Sequence, residues 1–583
     1  MKLDNLTTEC SILKEIDLSF ADLIRRLDDN RSRWTVPLAA LVSQQMGEGH
    51  ICLPLGEAPV LRDEKDQPLE LEWPDPEALA KDIIQSPVVG RPGQKRPLIL
   101  DGERLYLERY WCYEKQVAEK ILSFAGHPPP GNHDGAAGNL EQYFGKNADD
   151  HQLAAARMAI NNPFCVIAGG PGTGKTTTVL KILATLAGRA GTKELKILLT
   201  APTGKAAVRL QETLRQGIGK LTLPEKIRNQ IPLEASTLHR LLGPIHGSVD
   251  FKHNRDNPLS ADVVVVDEAS MVDLPLMAKL LAAIPDGGRL ILLGDQDQLA
   301  SVDAGSVLGD ICSAAERQRK AGKGLLAASI TTLSKNYRFN SNSSLPSLCQ
   351  FIKEGKGGEI LKLLRKKDDP SISCAELPSP ANLRRQLAEE VLEHLVPPLT
   401  CPDPMTALAS FARYRILCAT HHGPYGVETL NQLIEDLLIE KQIIPQQTPL
   451  YHGLPIMVTS NDYRLRLYNG DTGVFFKTEG QDTRAFFAGS DGALRSFTPL
   501  RLPPHKKAYS MTIHKSQGSE FEQILLILPP EDMPLLTREL LYTAVSRARS
   551  RVKVWCCKNI FETAAVRRTR RSSGLADKLA VTE

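Results

Sequence analysis

A phosphate-binding loop is the part of this sequence whose residue types and spacing most directly indicate chemistry. Residues 169–176 read GGPGTGKT, the G-x-x-x-x-G-K-T spacing of a loop that cradles nucleotide phosphates. Glycines let backbone N–H groups turn toward a phosphate, Lys175 can reach the β- and γ-phosphates, and the Thr176 hydroxyl can bind Mg²⁺. The predicted nucleotide-binding residues here are Gly169, Gly170, Pro171, Gly172, Thr173, Gly174, Lys175, Thr176 and Thr177.

The sequence on either side of this loop predicts a strand and a helix. An apolar run of strand length covers residues 164–168, and apolar side chains recur with helical spacing over residues 179–186. A loop between a strand and a helix N-terminus is the setting in which this motif binds phosphate. These flanks disfavour the alternative, a glycine-rich turn that contains a lysine by chance.

Two acidic residues follow a predicted buried strand. Residues 263–266 are four valines, and Asp267 and Glu268 come directly after them. Ligands bind at the carboxyl ends of the strands in parallel sheets, so we assign Asp267 to Mg²⁺ and Glu268 to the attacking water. The alternative is a strand that ends in two solvated acids.

Three further polar residues are candidates for contact with the γ-phosphate. Gln298 follows the apolar run 290–293 and can form a hydrogen bond with the phosphate without adding charge. Arg338 and Arg547 can each stabilise charge on the transferring phosphoryl group. Taken singly, each of the three is more often an ordinary polar or surface residue.

Length and composition predict a soluble, multidomain, cytoplasmic protein. The 583 residues suggest several domains, and the net charge of +3 permits a nucleic-acid partner without indicating one. The eleven cysteines include no C-x-x-C pair, which indicates reduced thiols rather than a disulfide framework or a zinc site. No signal peptide or membrane-spanning segment is predicted, so we expect no membrane partner.

The order of apolar runs predicts two α/β units. The runs 164–168, 197–200, 263–266 and 290–293 alternate with helical sequence, and a second set covers 415–419, 524–528 and 551–556. Short alternating runs near 450–505 predict a small all-β insertion. The tail 567–571 has four arginines in five positions and is expected to be a solvated chain end.

The motifs, taken in order, resemble superfamily 1 helicases and, within them, the RecD family. The ordered series is GGPGTGKT at 169–176, APTGKAA at 201–207, STLHRL at 236–241, DEAS at 267–270, GDQDQL at 294–299, YR at 337–338, MTIHKSQG at 511–518 and YTAVSRAR at 542–549. Residues 47–53 and 104–111 are also similar to RecD proteins. The similarity therefore covers most of the chain.

This resemblance implies a fold and a division of the chain. It implies an α/β protein with two RecA-like P-loop motor domains, a small SH3-like all-β insertion and a mostly helical N-terminal domain. The expected segments are a partner-docking domain at 1–125, a linker at 126–145, a first motor domain at 146–340 and a second at 341–583. Residues 244–259 stand where relatives carry a short β-hairpin that separates the duplex, although an ordinary surface loop fits this segment equally well.

The resemblance also implies roles for single residues. Gln152 matches the glutamine that reads adenine, which makes ATP with Mg²⁺ the expected pair of cofactors. The catalytic residues are then Lys175, Glu268, Gln298, Arg338 and Arg547. The residues that match DNA-contacting motifs are Thr203, Lys205, Thr237, His239, Thr512 and His514. Local capping or core hydrogen bonding is the alternative role for each of these six.

The implied activity is that of a helicase subunit. The family translocates 5′→3′ on single-stranded DNA, acts at duplex ends, and works with RecB-like and RecC-like subunits in a heterotrimer, the exodeoxyribonuclease V complex. We find no carboxylate cluster outside the ATP site, so nuclease activity is expected on a partner. The alternatives are a stand-alone RecD-like helicase, whose relatives are longer, and a P-loop switch that only regulates assembly.

Overall fold

The structure is a computed structural model of the chain. It describes residues 3, 6, 12–29, 31–62, 68–126, 140, 143–145, 149–190, 194–339, 343–365, 369–446, 448–477, 482–489 and 492–580. The predicted linker, 126–145, lies almost entirely outside the described residues. In the described part of the chain, no helix is both long and apolar enough to cross a bilayer.

The N-terminal part combines four described helices with a small sheet. The helices are α1 (Glu15–Asp28), α2 (Thr35–Gly47), α3 (Pro76–Ile83) and α4 (Glu108–Gly126), and the strands are β1 (Leu53–Pro54), β2 (Leu61–Arg62), β3 (Pro68–Leu69), β4 (Val89–Gly90), β5 (Leu98–Asp101) and β6 (Arg104–Leu107). Strands β1, β6, β5 and β4 form one sheet in that order, and β2 pairs with β3. Helix α2 is apolar on most sides and fills the core of this part, with Leu38 and Leu41 fully buried.

The first large sheet is parallel and has six strands. Its strands are β7 (Phe164–Gly169), β8 (Ile197–Ala201), β9 (Ala235–Thr237), β10 (Val263–Val266), β11 (Arg289–Gly294) and β12 (Ile330–Leu333). Its helices are α5 (Asp150–Asn161), α6 (Lys175–Arg189), α7 (Gly204–Lys220), α8 (Glu225–Gln230), α9 (Leu238–Leu242), α10 (Leu274–Ala283) and α11 (Val307–Lys320). The strand order is β12-β7-β11-β10-β8-β9. Strand β11 lies between β7 and β10. The phosphate loop after β7 and the acid pair after β10 therefore lie two strands apart, at the carboxyl ends of the strands.

The second half contains another parallel sheet with an all-β insertion. Its strands are β13 (Ile372–Glu376), β14 (Tyr414–Cys418), β15 (Pro455–Val458), β16 (Thr472–Lys477), β17 (Thr483–Ala488), β18 (Leu494–Phe497), β19 (His505–Lys507), β20 (Ser510–Thr512), β21 (Phe521–Ile527) and β22 (Ala548–Cys556). Its helices are α12 (Leu345–Glu354), α13 (Gly357–Leu364), α14 (Pro380–Glu390), α15 (Val396–Leu399), α16 (Pro404–Phe411), α17 (Val427–Glu440), α18 (Arg538–Val545), α19 (Lys558–Val566) and α20 (Leu575–Ala580).

The strand orders separate the insertion from the second parallel sheet. The parallel sheet has the order β13-β22-β21-β14-β20, and β18-β17-β16-β15-β19 form an antiparallel sheet between β14 and β20 in the chain. The predicted fold class, two parallel α/β units with a small all-β insertion, is confirmed. Asp471 in the insertion accepts a hydrogen bond from the Tyr468 backbone N–H at 2.7 Å and acts as a turn residue.

Residues 244–259, for which a duplex-separating hairpin and a surface loop were equally expected, form a closed loop with little regular strand. One antiparallel bridge joins Pro244 and Phe251, and the Lys252 N–H donates to the Gly243 carbonyl at 2.8 Å. Beyond this bridge, the Asn254 side chain accepts from the backbone N–H groups of Asp256 and Asn257. The segment therefore keeps a hairpin path with a single bridge in place of two paired strands.

The C-terminal tail was expected to be a solvated end, and that expectation is wrong for Arg567 and Arg571, which bind backbone carbonyls. The Arg571 guanidinium donates to the carbonyls of Ser301, Asp303 and Gly305 at 2.6, 2.7 and 2.8 Å. After it, the Ser572 carbonyl accepts from the Ile51 N–H at 2.8 Å. Arginine has five donors in a fixed fork, so Arg571 binds three backbone carbonyls at once, whereas Arg568 and Arg570 are exposed.

The tail then joins the second half of the chain to the first half and to the N-terminal part. Glu114 on α4 is fully buried and accepts hydrogen bonds from the Gly574 N–H at 2.9 Å and from Lys578 at 2.8 Å. Helix α20 packs against α4 and α11. Helix α20 therefore packs on two helices that precede the second sheet in the sequence.

We expect Arg571→Ala to loosen this docked segment. Loss of hydrogen bonds from a charged donor costs about 2 kcal/mol. Amide hydrogen exchange of residues 572–580 should therefore accelerate by about tenfold or more. Arg570→Ala is the matched control because the Arg570 side chain is exposed. Equal exchange in the two variants would show that the Arg571 contacts do not hold the tail.

Candidate functional site

The phosphate loop connects a fully buried strand to a helix, as its sequence predicts. Strand β7 is buried at all six positions, and α6 begins at Lys175. Gly172 and Gly174 have φ values of 78° and 82°, in the region that favours glycine. A Cβ at Gly172 would also collide with the Arg338 side chain. Glycine at this position therefore serves both the turn and the close approach of that arginine.

Lys175 lies across the loop that precedes it. Its Nζ donates to the carbonyl oxygens of Gly169 at 2.6 Å and Gly170 at 3.1 Å. Burial lowers the pKa of Lys175, and the nearby carboxylates of Asp295, Glu268 and Asp267 act in the opposite direction. The ammonium therefore lies at the loop, among carboxylates that favour its charged form.

A single cavity of about 210 Å³ brings most of the predicted nucleotide-site residues together. The predicted residues that line it are Pro171, Gly172, Thr173, Gly174, Lys175, Thr176, Thr177, Asp267, Glu268, Gln298, Arg338 and Arg547. Gln152 lies at its edge, with its Nε2 3.1 Å from the position of a Cβ on Gly174. Gly169 ends β7, and Gly170 lines a neighbouring cavity instead.

The acid pair stands at the end of β10. Burial raises the pKa of Asp267 to about 6, and the adjacent Glu268 charge contributes to the shift. An Asp267 oxygen accepts from the Glu268 N–H at 2.9 Å. Glu268 has a φ of 51°, a left-handed conformation that is costly for a residue with a side chain. Such strain is found where neighbouring structure holds a functional side chain in a required direction.

The loop after β11 links the two halves through hydrogen bonds. Asp295 accepts from the Gln298 amide at 3.0 Å and from the Tyr542 hydroxyl of α18 at 2.8 Å. The Leu299 N–H donates to Thr543 at 2.9 Å, and the Leu299 carbonyl accepts from Gln517 at 3.0 Å. Gln298 is therefore positioned by contacts that also hold α18 beside the first sheet.

The two candidate arginines converge on the cavity from different sheets. Arg338 follows β12, and its guanidinium donates to the Ser546 carbonyl at 3.0 Å. Arg547, at the end of α18, is only 1% exposed and donates to the carbonyls of Thr543 and Ser519, both at 3.2 Å. Burial, together with the charges of the neighbouring Arg209, Arg547 and Arg549, lowers the pKa of Arg338 to about 9.

Sequence reasoning missed two charged residues of this cavity. The Glu520 carboxylate, which is largely buried, pairs with Arg209, Arg338 and Arg549, and the distance to Arg549 is 2.9 Å. Arg209 lies on α7, so Glu520 joins arginines from both halves of the molecule. A signal was available, because Arg209 and Glu520 each stand two residues beyond a motif, 201–207 and 511–518, respectively.

Tyr337 is a third residue that sequence reasoning did not assign. The residue is 53% exposed, and its ring lies 3.9 Å from the position of a Cβ on Gly174, which Gln152 also approaches. The Lys335 Nζ lies 5.2 Å from the ring centre. The Tyr337 hydroxyl donates to Asp149 at 3.3 Å. The edge of the cavity thus carries an exposed aromatic face next to an amide.

The six residues predicted to contact DNA lie at strand ends and helix starts. Thr203 follows β8 and Thr237 ends the neighbouring parallel strand β9, so both lie at the carboxyl ends of the strands in the first sheet. Each caps a helix by accepting a backbone N–H at 3.2 Å. Thr512 ends β20 and accepts from the Lys515 N–H at 3.3 Å. The local capping that was the alternative is therefore present at these three positions.

Capping leaves these hydroxyls able to bind a phosphate. A threonine oxygen that accepts a backbone N–H still has its own O–H to donate. Lys205 and His514 are half-buried, and His239 is exposed. Burial lowers the pKa of His514, and Arg571 adds to this effect. A neutral imidazole at His514 can still donate one N–H.

Comparisons with known proteins give consistent results along the chain. The family model for the N-terminal domain of RecBCD enzyme subunit RecD matches residues 9–106. An AAA domain matches residues 152–304, and a UvrD-like helicase C-terminal domain matches residues 507–554. These matches cover the N-terminal part, the phosphate loop with its acid pair, and the strands that lead to Arg547.

Curated relatives extend the similarity over almost the whole length. RecBCD enzyme subunit RecD of Mycolicibacterium smegmatis is 39% identical over 97% of this chain and 98% of its own. RecBCD enzyme subunit RecD of Haemophilus influenzae is 35% identical over 85% of this chain and 83% of its own. The ATP-dependent RecD2 DNA helicase of Deinococcus radiodurans is 30% identical, but only 58% of that protein is covered. The chain therefore belongs to the family of RecBCD enzyme subunit RecD.

Proposed function

We propose that the chain is an ATP-dependent DNA helicase subunit that translocates 5′→3′ on single-stranded DNA. The observation that carries this proposal is the cavity shared by the two parallel sheets, with Lys175 on one side and Arg547 on the other. The direction of movement rests on membership of the family. In this proposal the chain assembles with RecB-like and RecC-like partners, acts at duplex ends in the cytoplasm, and leaves DNA cleavage to a partner.

The cavity fits Mg²⁺ together with a nucleoside triphosphate. Thr176 and Asp267 offer hydroxyl and carboxylate oxygens, the hard ligands that Mg²⁺ prefers, and both line the same cavity. Bound Mg²⁺ would neutralise negative charge on the phosphates. When a nucleotide binds, the Lys175 ammonium group would release the carbonyls of Gly169 and Gly170 and bind the β- and γ-phosphates instead.

Hydrolysis needs a positioned water and a stabilised leaving phosphate. Glu268 would orient the water and accept its proton, and Gln298 would hydrogen-bond to the γ-phosphate. Arg338 and Arg547 would stabilise the charge that develops on the transferring group. At the edge of the site, Gln152 would read adenine while the exposed Tyr337 ring stacks on it.

The shared cavity would couple ATP hydrolysis to movement along DNA. A bound triphosphate contacts both sheets and closes the cleft, and hydrolysis removes that contact. Two states that grip DNA with different strength would then advance the chain along a strand. We assign the grip to Thr203, Lys205, Thr237, His239, Thr512 and His514.

This proposal includes a division of the chain into working parts. Residues 1–125 would dock on a partner, residues 146–340 and 341–583 would form the two motor domains, and residues 450–505 would form an accessory module. The docked tail adds a link between these parts, since α20 belongs to the second segment by sequence but packs on α4 and α11.

Lys205 provides a test of the DNA assignment through pH. Burial lowers the pKa of Lys205 to about 8, Arg415 adds to this effect, and Asp471 opposes it. The ammonium should therefore lose its charge between about pH 7 and about pH 9, above the range in which histidine titrates. The affinity for oligo(dT) should therefore fall by up to about tenfold from pH 7 to pH 9, because a neutral lysine must take up a proton before it pairs with a phosphate. Fluorescence anisotropy at fixed salt and several pH values measures it.

The matched variant for this test is Lys205→Arg, which keeps its charge throughout the range. Its affinity should not change over this pH range. A wild-type affinity that also stays constant would contradict a contact between Lys205 and phosphate.

The second candidate function is a stand-alone helicase. The similarity to RecD2 favours it, whereas the near-complete coverage of RecD subunits favours the complex. Affinity purification from the native host, followed by unwinding of duplexes with 5′ or 3′ overhangs, distinguishes them. Two large co-purifying chains and a preference for 5′ overhangs support our proposal. A chain that purifies alone and unwinds efficiently would support the stand-alone helicase instead.

A further inference from the structure

A further cavity, of about 260 Å³, lies away from the ATP site, where the N-terminal part meets the first sheet. It opens between α4, α9, α10 and the loop at 244–251. We call it the aromatic pocket and define it by Arg109, Tyr110, Tyr113, His239, Phe251 and Lys279. None of the residues predicted for ATP binding lines it.

The pocket contains four aromatic rings in two edge-to-face pairs. Tyr110 and Tyr113 have ring centroids 6.1 Å apart at an interplanar angle of 80°. His239 and Phe251 have centroids 5.7 Å apart at 63°. The tyrosines and Phe251 are half-buried, and His239 is exposed. An edge-to-face pair leaves ring faces free for a third planar group to stack on.

Cations accompany these rings. The Lys279 Nζ lies 5.6 Å from the centre of the Tyr113 ring and forms an ion pair with Asp250. Arg109 is exposed, and within the described ranges its guanidinium forms no ion pair. Asp273 also lines the cavity, where its carboxylate caps α10 by accepting from the Leu276 N–H at 2.7 Å. Arg109 is therefore the charge available to an incoming anion.

The pocket adjoins the proposed strand groove, which we define by the six residues assigned above to the grip on DNA. His239 belongs to both, because it stands two residues after Thr237 at the start of α9 and also faces Phe251. Phe251 in turn is the residue that closes the loop 244–251 through its bridge to Pro244. A strand that follows the groove past His239 would reach the ring faces next.

We propose that the aromatic pocket binds one nucleotide of single-stranded DNA, with its base stacked among the rings and its phosphate at Arg109. This inference rests on the proposed DNA translocation. Aromatic faces combined with cations bind single strands without sequence preference, because every base offers a π-face. A base held here would fix the strand against the loop 244–251, at the boundary of the N-terminal part.

The test uses the full-length chain and a dT oligonucleotide that carries a single 5-iodouracil at successive positions. Photo-cross-linking followed by mass spectrometry should yield adducts at Tyr110, Tyr113 or Phe251 for a narrow range of positions. The substitutions Tyr113→Leu and Phe251→Leu should weaken oligonucleotide binding by about tenfold each. Leucine retains apolar packing, and the thermal unfolding midpoint of each variant reports whether the fold is kept.

Ring-retaining variants are the matched controls. Tyr113→Phe and Phe251→Tyr keep a stacking face, so both the affinity and the cross-links should be retained. Affinity that is unchanged in the folded leucine variants, or adducts confined to other residues, would overturn the proposal. Leucine variants that bind DNA normally but lose co-purifying chains would identify the pocket as a protein contact, which also overturns it.

A different result would contradict the proposed function itself. If the wild-type chain shows no ATPase stimulation by single-stranded DNA, then translocation itself is wrong. DNA-stimulated ATPase with no cross-link in the pocket rejects the pocket only.

Discussion

Lys175→Gln is expected to reduce ATP turnover by about 10³-fold or more while the fold is preserved. Lys175 is the cation that lies across the phosphate loop, with its Nζ 2.6 Å from the Gly169 carbonyl. A neutral glutamine is shorter and cannot neutralise charge on the β- and γ-phosphates. Phosphate release in the presence of saturating single-stranded DNA measures the effect.

Lys181→Gln is the matched control for this substitution. Lys181 lies on the same helix, α6, with its Nζ 4.8 Å from the Phe144 ring and outside the cavity. It should retain turnover close to that of the wild type. Normal turnover in Lys175→Gln would contradict the assignment of the loop, and equal losses in both variants would indicate damage to α6 instead.

Arg547→Ala should slow hydrolysis by about 10³-fold with little loss of ATP binding. Arg547 comes from the second sheet and reaches a cavity whose phosphate loop belongs to the first sheet. Its contribution should therefore appear only when the cleft is closed around the transferring phosphate. Single-turnover hydrolysis, together with equilibrium binding of a fluorescent ATP analogue, separates the two effects.

Arg551→Ala is the control for this experiment. Arg551 lies on β22, just beyond Arg547, and is exposed. It should leave both binding and hydrolysis unchanged. Hydrolysis at the wild-type rate in Arg547→Ala would contradict an ATP site shared by the two sheets. Arg547 is the residue that the second sheet is proposed to contribute to that site.

Glu520 balances positive charge at the cavity that the two parallel sheets share. Its carboxylate lies among Arg209, Arg338 and Arg549 and offsets their mutual repulsion. A γ-phosphate that enters the same cavity would offer these arginines a second anion. A bound phosphate would therefore compete with Glu520 for the same arginines.

The main strands and the phosphate site were predictable because their signals are local. The run 164–168 became β7, and the four valines at 263–266 became β10, since a continuous apolar run is long enough to form a buried strand. Strands β9 and β20 were missed because each has three residues and no repeating pattern to detect. The family motifs likewise placed Lys175, Asp267 and Arg547 in one site, and the described structure places all three on one cavity.

Tertiary structure alone revealed the features that depend on residues far apart in the chain. The arginine-rich tail is typical of a solvated end, but the carbonyls of Ser301, Asp303 and Gly305 accept its hydrogen bonds. The pairing of Arg209 with Glu520 and the aromatic pocket arise in the same way. Local patterns encode the propensity to form an element and the chemistry of a motif, whereas the partner of a charged or aromatic side chain is decided by packing between elements.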